Sequence, residues 1–164
     1  MRLKQIKEQI AANTAAIKNL QSQISKLSTE NVKLNNGYDD KLIEYFSEYI
    51  ELGTTYNVVN KYLYLTGVQT GIKKDDKHYS PNFNDGDTFE FIKKNAKSIV
   101  IKCTKKVHMT FSNGVRSQRV EDNPGWIFRI ETESLYQQLI KDEVFKDSFN
   151  KYVMRKEALQ LLGI

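Results

Sequence analysis

Apolar side chains recur through residues 3–34 at alternating intervals of three and four, a single seven-residue register held without a break. Leu3, Ile10, Ile17, Ile24 and Asn31 fall at one seam position, and Ile6, Asn13, Leu20, Leu27 and Leu34 fall three residues after each. This spacing predicts a coiled-coil helix about 50 Å long at ~1.5 Å per residue. A single such helix exposes its stripe, so the pattern calls for copies of itself or a partner helix. A helix lying on its own globular domain would show a wider apolar stripe than this narrow seam. Asn35-Asn36-Gly37 is a helix-stop signal, which sets residues 1–36 as a coiled-coil oligomerisation stalk and 38–164 as a globular head.

Beyond the stop the period changes. Residues 38–52 open on Asp39 and Asp40, which suit a helix N-terminus, and place Leu42, Ile43, Phe46, Tyr49 and Ile50 on one side. Gly53-Thr54-Thr55 interrupts this helix, and residues 56–65 read as helix or strand. The pair faintly resembles a helix-turn-helix, but Tyr49 stands where that motif needs a small residue. Residues 66–88, with Gly67, Gly71, Gly86, Pro81 and a mixed-charge run from Lys73 to Lys77, read as a long surface loop. Asn82, Asn84, Asp85 and Asp87 offer oxygens there, yet their spacing departs from a calcium loop and fits an Asn/Asp turn better.

From residue 89 the alternation is that of strands: 89–92, 98–103, then 107–112 and 115–120 about Asn113-Gly114, a type I′ hairpin signal. Pairing across that turn sets Ser112 opposite Val115, Thr110 opposite Ser117 and His108 opposite Arg119 on one face. Val107 opposite Val120, Met109 opposite Gln118 and Phe111 opposite Arg116 make the other, which is more apolar and is expected to face inward. After Asn123-Pro124-Gly125, residues 126–130 supply another strand. Residues 132–162 carry helical spacing, as one bent helix or two short ones, and the apolar ending Leu159 to Ile164 suggests a tail docked on the core or on a neighbouring subunit. The fold class expected is α+β: a parallel coiled coil followed by an antiparallel four- or five-stranded sheet packed with helices.

Composition narrows the chemistry. With 40% apolar and 11% aromatic residues among 164, the chain has enough anchors to fold one core. It shows neither a membrane-spanning run nor a signal peptide, which points to a soluble protein. The single cysteine, Cys103, lies in a strand-like run, rules out an intrachain disulfide or a Cys-based zinc site, and reads as a buried thiol. Residues 88–130 hold nine basic and three acidic side chains, so the net charge of +5 originates in the strands. If Lys102, His108, Arg119 and Arg129 share the outer sheet face, with Lys105, Lys106 and Lys97 at its edges, they form a basic strip suited to nucleic acid. The alternative is a solvated sheet face whose lysines block edge-to-edge aggregation. His78 and His108 belong to no motif, and there is no phosphate loop, dinucleotide fingerprint, metal or cofactor signature. No enzyme is expected.

The flanking positions of the seam, such as Thr14, Gln21, Ser28, Gln9, Ala16 and Gln23, are mostly uncharged. Together with the run Ala11-Ala12-Asn13-Thr14-Ala15-Ala16-Ile17, in which Asn13 sits at the second seam position, they resemble the stalks of trimeric phage fibres, virion accessory proteins and bacterial adhesins. The resemblance implies a homo-oligomer with trimer ahead of dimer, although Ile at the first seam position and Leu at the second is the dimer-favouring combination. It also implies a non-enzymatic, fibre-like or accessory component of a phage or virus particle that attaches to a protein neighbour, in the virion or the host cytoplasm. Two alternatives stay open. One is a basic oligomeric nucleic-acid-binding protein, such as a viral host-takeover or defence-blocking factor. The other is a dimeric coiled-coil adaptor, which resembles kinetochore-type scaffolds in outline.

Overall fold

The computed structural model describes residues 2–59, 62–65, 68–71 and 82–164. The chain divides into two units, Met1–Lys41 and Leu42–Ile164. In the first unit helix α1 (Leu3–Tyr49) leaves every described residue up to Asp40 exposed. Its surface is tied by short-range bonds, among them Gln9 Nε2 to Asn13 Oδ1 at 3.0 Å and Thr14 Oγ1 to the Ile10 carbonyl at 2.8 Å.

The predicted stop at Asn35-Asn36-Gly37 does not break the helix. Gly37 is absent from the residues of positive φ, and α1 runs on to Tyr49, so Asp39 and Asp40 lie mid-helix and not at a new N-terminus. Gly and Asn cost a helix interior only about 0.5–1 kcal/mol each, which an unbroken hydrogen-bond ladder on both sides can absorb. The actual C-terminus of α1 carries no basic residue in its last turn. A cation arrives from the sheet instead: Lys94 Nζ donates to the carbonyls of Ser47 and Ile50, both at 2.8 Å, where orphan carbonyls and the helix dipole favour positive charge.

The second unit is α+β. Strands β1 (Thr55–Asn57), β5 (Thr88–Lys94), β6 (Ser98–Ser112), β8 (Ile127–Glu131) and β3 (Val68–Gly71) lie side by side in that order, every pairing antiparallel, and β7 (Val115–Asp122) pairs with β6. Strands β2 (Leu63–Tyr64) and β4 (Asn82–Phe83) form a separate pair. Residues 55–57 are thus strand, bonded to the edge of β5, and 63–64 are strand as well, which removes the helix-turn-helix reading. The stretch read as one long loop contains β3 and β4; the charged run at 73–77, His78 and Pro81 lie outside the described residues.

The core forms where the last turns of α1, helix α2 (Thr132–Leu139) and helix α3 (Glu143–Leu161) meet one sheet face. Phe46, fully buried, stands edge-on to Tyr136, Phe145 and Phe149, with ring centroids 5.4, 6.0 and 6.1 Å away. Phe89, Ile99, Ile101, Cys103, Phe128 and Ile130 supply the sheet side. Tyr45 Oη donates to Glu157 Oε1 at 2.6 Å, and Tyr152 Oη to Glu48 Oε2 at 3.1 Å, so α3 runs antiparallel to the end of α1. Asp142 caps α3 by accepting from the Val144 N–H at 3.1 Å. The tail does not dock on this core: Leu161, Leu162 and Ile164 are 89, 72 and 84% exposed.

Candidate functional site: the α1 seam and the β6–β7 ribbon

The seam is laid out as its spacing requires. The apolar members Leu3, Ile6, Ile10, Ile17, Leu20, Ile24, Leu27 and Leu34 are all exposed, between 41 and 79%, and Asn13 and Asn31 are exposed with them. Because α1 is unbroken, the register extends one step past Leu34 to Tyr38, also exposed. The next position is the half-buried Lys41, and the one after it is Tyr45, which α3 covers within the same chain. Each such aliphatic side chain would gain about 1.5–3 kcal/mol on full removal from water.

The basic strip is not assembled as expected. Phe89 pairs with Cys103 but Thr88 pairs with Lys105, so Thr104 is an extra residue in β6, and its hydroxyl lies 2.6 Å from that of Thr88. A β-bulge of this kind inverts the in–out alternation of everything after it. Before the bulge, Ile99, Ile101 and Cys103 face the core; after it, Lys106 and His108 take the inward side, where Lys106 Nζ lies 5.5 Å from the Phe83 ring and His108 stands edge-on to Trp126 at 6.4 Å. Lys102 and Arg129 are therefore on one face, and His108 with its cross-strand neighbour Arg119 on the other.

Most of these cations also have acidic neighbours. Lys106 is buried, its ammonium held by Asp87 Oδ2 and the Asn82 carbonyl, so it is not an edge cation for phosphate. Asp87, fully buried, accepts from the Val107 N–H through Oδ1 and from the Asn84 N–H through Oδ2, which makes it the anchor of its turn and leaves it no role as a calcium ligand. Lys102 stands across from Glu90, Lys105 across from Asp122, and His108 Nε2 lies 2.8 Å from Glu121 Oε2. Arg129 is exposed.

The hairpin register is as the turn predicts, from Ser112 opposite Val115 down to Val107 opposite Val120, with Asn113 and Gly114 at φ 49° and 76° as a type I′ turn needs. Its facing is not. Val107 is buried beside the turn at Gly86, but Met109, Phe111 and Val120 are exposed, Phe111 at 76%. Past Lys105, β6 pairs with β7 alone among the described residues, so the outer part of the hairpin is a free two-stranded ribbon.

An open cleft of about 550 Å³ lies between the start of α3 and β1, lined by Tyr49, Tyr56, Val59, Asp142, Val144 and Phe145 among others. Tyr56 donates its phenol to Asp142, and burial together with that carboxylate pushes its pKa up, so it stays protonated. Burial likewise pushes the Cys103 thiol up to about 12, with the Asp87 carboxylate adding to the effect, which makes it a poor nucleophile. Among the described residues no three His, Cys, Asp or Glu side chains converge on a metal site, and no helix is long and apolar enough to cross a membrane. The bulge, the Asp87–Lys106 pair and the Lys94 cap had no periodic signal in the sequence; the turn residues Asn84-Asp85-Gly86-Asp87 were the one visible hint of the second. No protein-family model matches the chain, and no curated protein or solved structure matches it.

Proposed function

We propose that this chain is a non-enzymatic assembly protein whose α1 seam joins parallel copies into a homo-oligomeric coiled coil that carries the α+β head. What supports the reading is the exposure of the whole apolar seam in a helix whose register never slips over residues 3–34. A second copy is the natural occupant, because the stripe is narrow, self-complementary and flanked mostly by uncharged residues, which give little basis for selecting an oppositely charged partner helix. The seam asparagines Asn13 and Asn31 fix register between copies at some cost in stability. The polar stalk composition around Asn13 favours a trimer, and with it a fibre-like or accessory role in a phage or virus particle.

Sedimentation equilibrium of the intact protein at low and high salt tests this. The expected result is a trimer whose mass is insensitive to salt. The double variant Ile17→Asp, Leu20→Asp should become monomeric while the head's thermal unfolding is unchanged. A dimer would reject the trimeric, fibre-like form of the proposal and keep the assembly role. A monomeric wild type would reject both.

A further inference from the structure

The distal ribbon has a composition unlike the rest of the molecule. Residues 107–120 contain Arg116, Arg119 and His108 but no Asp, Glu or Lys, in a chain that is 27% charged. The ribbon's remaining polar groups are Thr110, Ser112, Asn113, Ser117 and Gln118, side chains that donate to phosphates and base edges, and it carries the exposed Phe111. Elsewhere on β6 the cations are matched: Lys102 by Glu90, Lys105 by Asp122, Lys106 by Asp87. Within the ribbon His108 is met by Glu121, but Arg116 and Arg119 have no acid across from them, since Arg116 lies across from Phe111 and Arg119 across from His108.

We propose that the β6–β7 ribbon is an arm that enters the major groove of duplex DNA, with Arg116 and Arg119 on phosphates and the polar side chains at base edges. The dimensions fit. Entered tip-first with its faces toward the groove walls, a ribbon about 10 Å thick with its side chains matches a groove about 12 Å wide, and the four exposed residues from Met109 to Ser112 reach about 13 Å at ~3.3 Å per residue. Arg116 and Arg119 fall on opposite faces of the ribbon, as their spacing of three dictates, so the two can address the two walls of one groove. The deep, narrow major groove of A-form RNA would not admit the ribbon. The proposal places nucleic-acid contact on the arm and not on the face of Lys102 and Arg129, and it does not depend on the seam.

Fluorescence anisotropy of the full chain with a labelled 20-base-pair DNA duplex and the matching RNA duplex, at about 50 and 200 mM salt, is the test. The DNA duplex should bind, more tightly than RNA. With Arg116 and Arg119 of one arm neutralising two phosphates, affinity should fall about tenfold across that salt range. Arg116→Glu with Arg119→Glu should lower affinity at least tenfold with thermal unfolding unchanged, and Lys102→Glu with Arg129→Glu should retain it. Binding should survive, weakened, in the Ile17→Asp, Leu20→Asp variant, which separates failure of the arm from failure of the stalk. The proposal is overturned by absence of DNA binding at low salt, which would leave Phe111 and Met109 to a protein partner. Equal binding of RNA, or unchanged affinity in the double arginine variant, would overturn it too.

Discussion

Helix α1 and strand β6 each carry one pattern of side chains that is covered over part of its length and open over the rest. In α1, Ile24 and Leu27 are 67 and 60% exposed, whereas Tyr45, in the same heptad register, and Phe46 are buried. In β6, Ile99 to Cys103 lie between β5 and β8, whereas Met109 and Phe111 stand in water on a two-stranded ribbon. The periodicity is equally regular in both parts. What differs is whether another element of the chain lies against it, and regularity therefore reports a demand for burial without saying how it is met.

Five substitutions probe that contrast. The largest effect is expected where β6 crosses from covered to open. Asp87→Ala leaves the buried Lys106 ammonium unpaired and strips the acceptor from two backbone N–H groups, so it should cost about 3–5 kcal/mol in urea unfolding of the head. A loss below 1 kcal/mol would mean that the pair is solvated and the crossing point is not sealed. Next, Phe46→Ala should cost about 3–4 kcal/mol of head stability, while Ile24→Ala on the same helix should leave the head within about 0.5 kcal/mol and weaken only self-association. Equal effects on head unfolding would show that the open half of α1 is covered by the head after all.

Lys94→Met tests the cation that closes α1. Removing the donor to the Ser47 and Ile50 carbonyls should lower the unfolding free energy by about 1–2 kcal/mol, and an unchanged midpoint would assign those carbonyls to water. The smallest change has the opposite sign. Gly37 is helical with nothing near the position of an added Cβ, so Gly37→Ala should raise stalk stability by about 0.5–1 kcal/mol per chain, read from thermal loss of circular dichroism. A destabilised stalk would restore a break at Asn35-Asn36-Gly37.

What could be read in advance followed local rules. The unbroken heptads gave the helix, Asn113-Gly114 gave a hairpin whose eight cross-strand pairs lie in the expected register, and the flanking alternation gave an antiparallel sheet within an α+β head. The stop signal at residues 35–37 failed because a weak local preference competes with hydrogen bonds on both sides, and 55–57 became strand because β5 offered them an edge.

The amino-acid sequence by itself determined the long helix, the Asn113-Gly114 hairpin and the strands around it, and that the α1 stripe needs a cover, because helix and strand periods are properties of neighbouring residues. Tertiary structure alone decided where each cation went. One extra residue at Thr104 inverts the alternation of β6, sends Lys106 to Asp87 and His108 toward Trp126, and leaves Arg116, Arg119 and Phe111 on an open arm. A bulge is a mismatch between two strands, so it exists only once both are paired, and no pattern within one of them can reveal it.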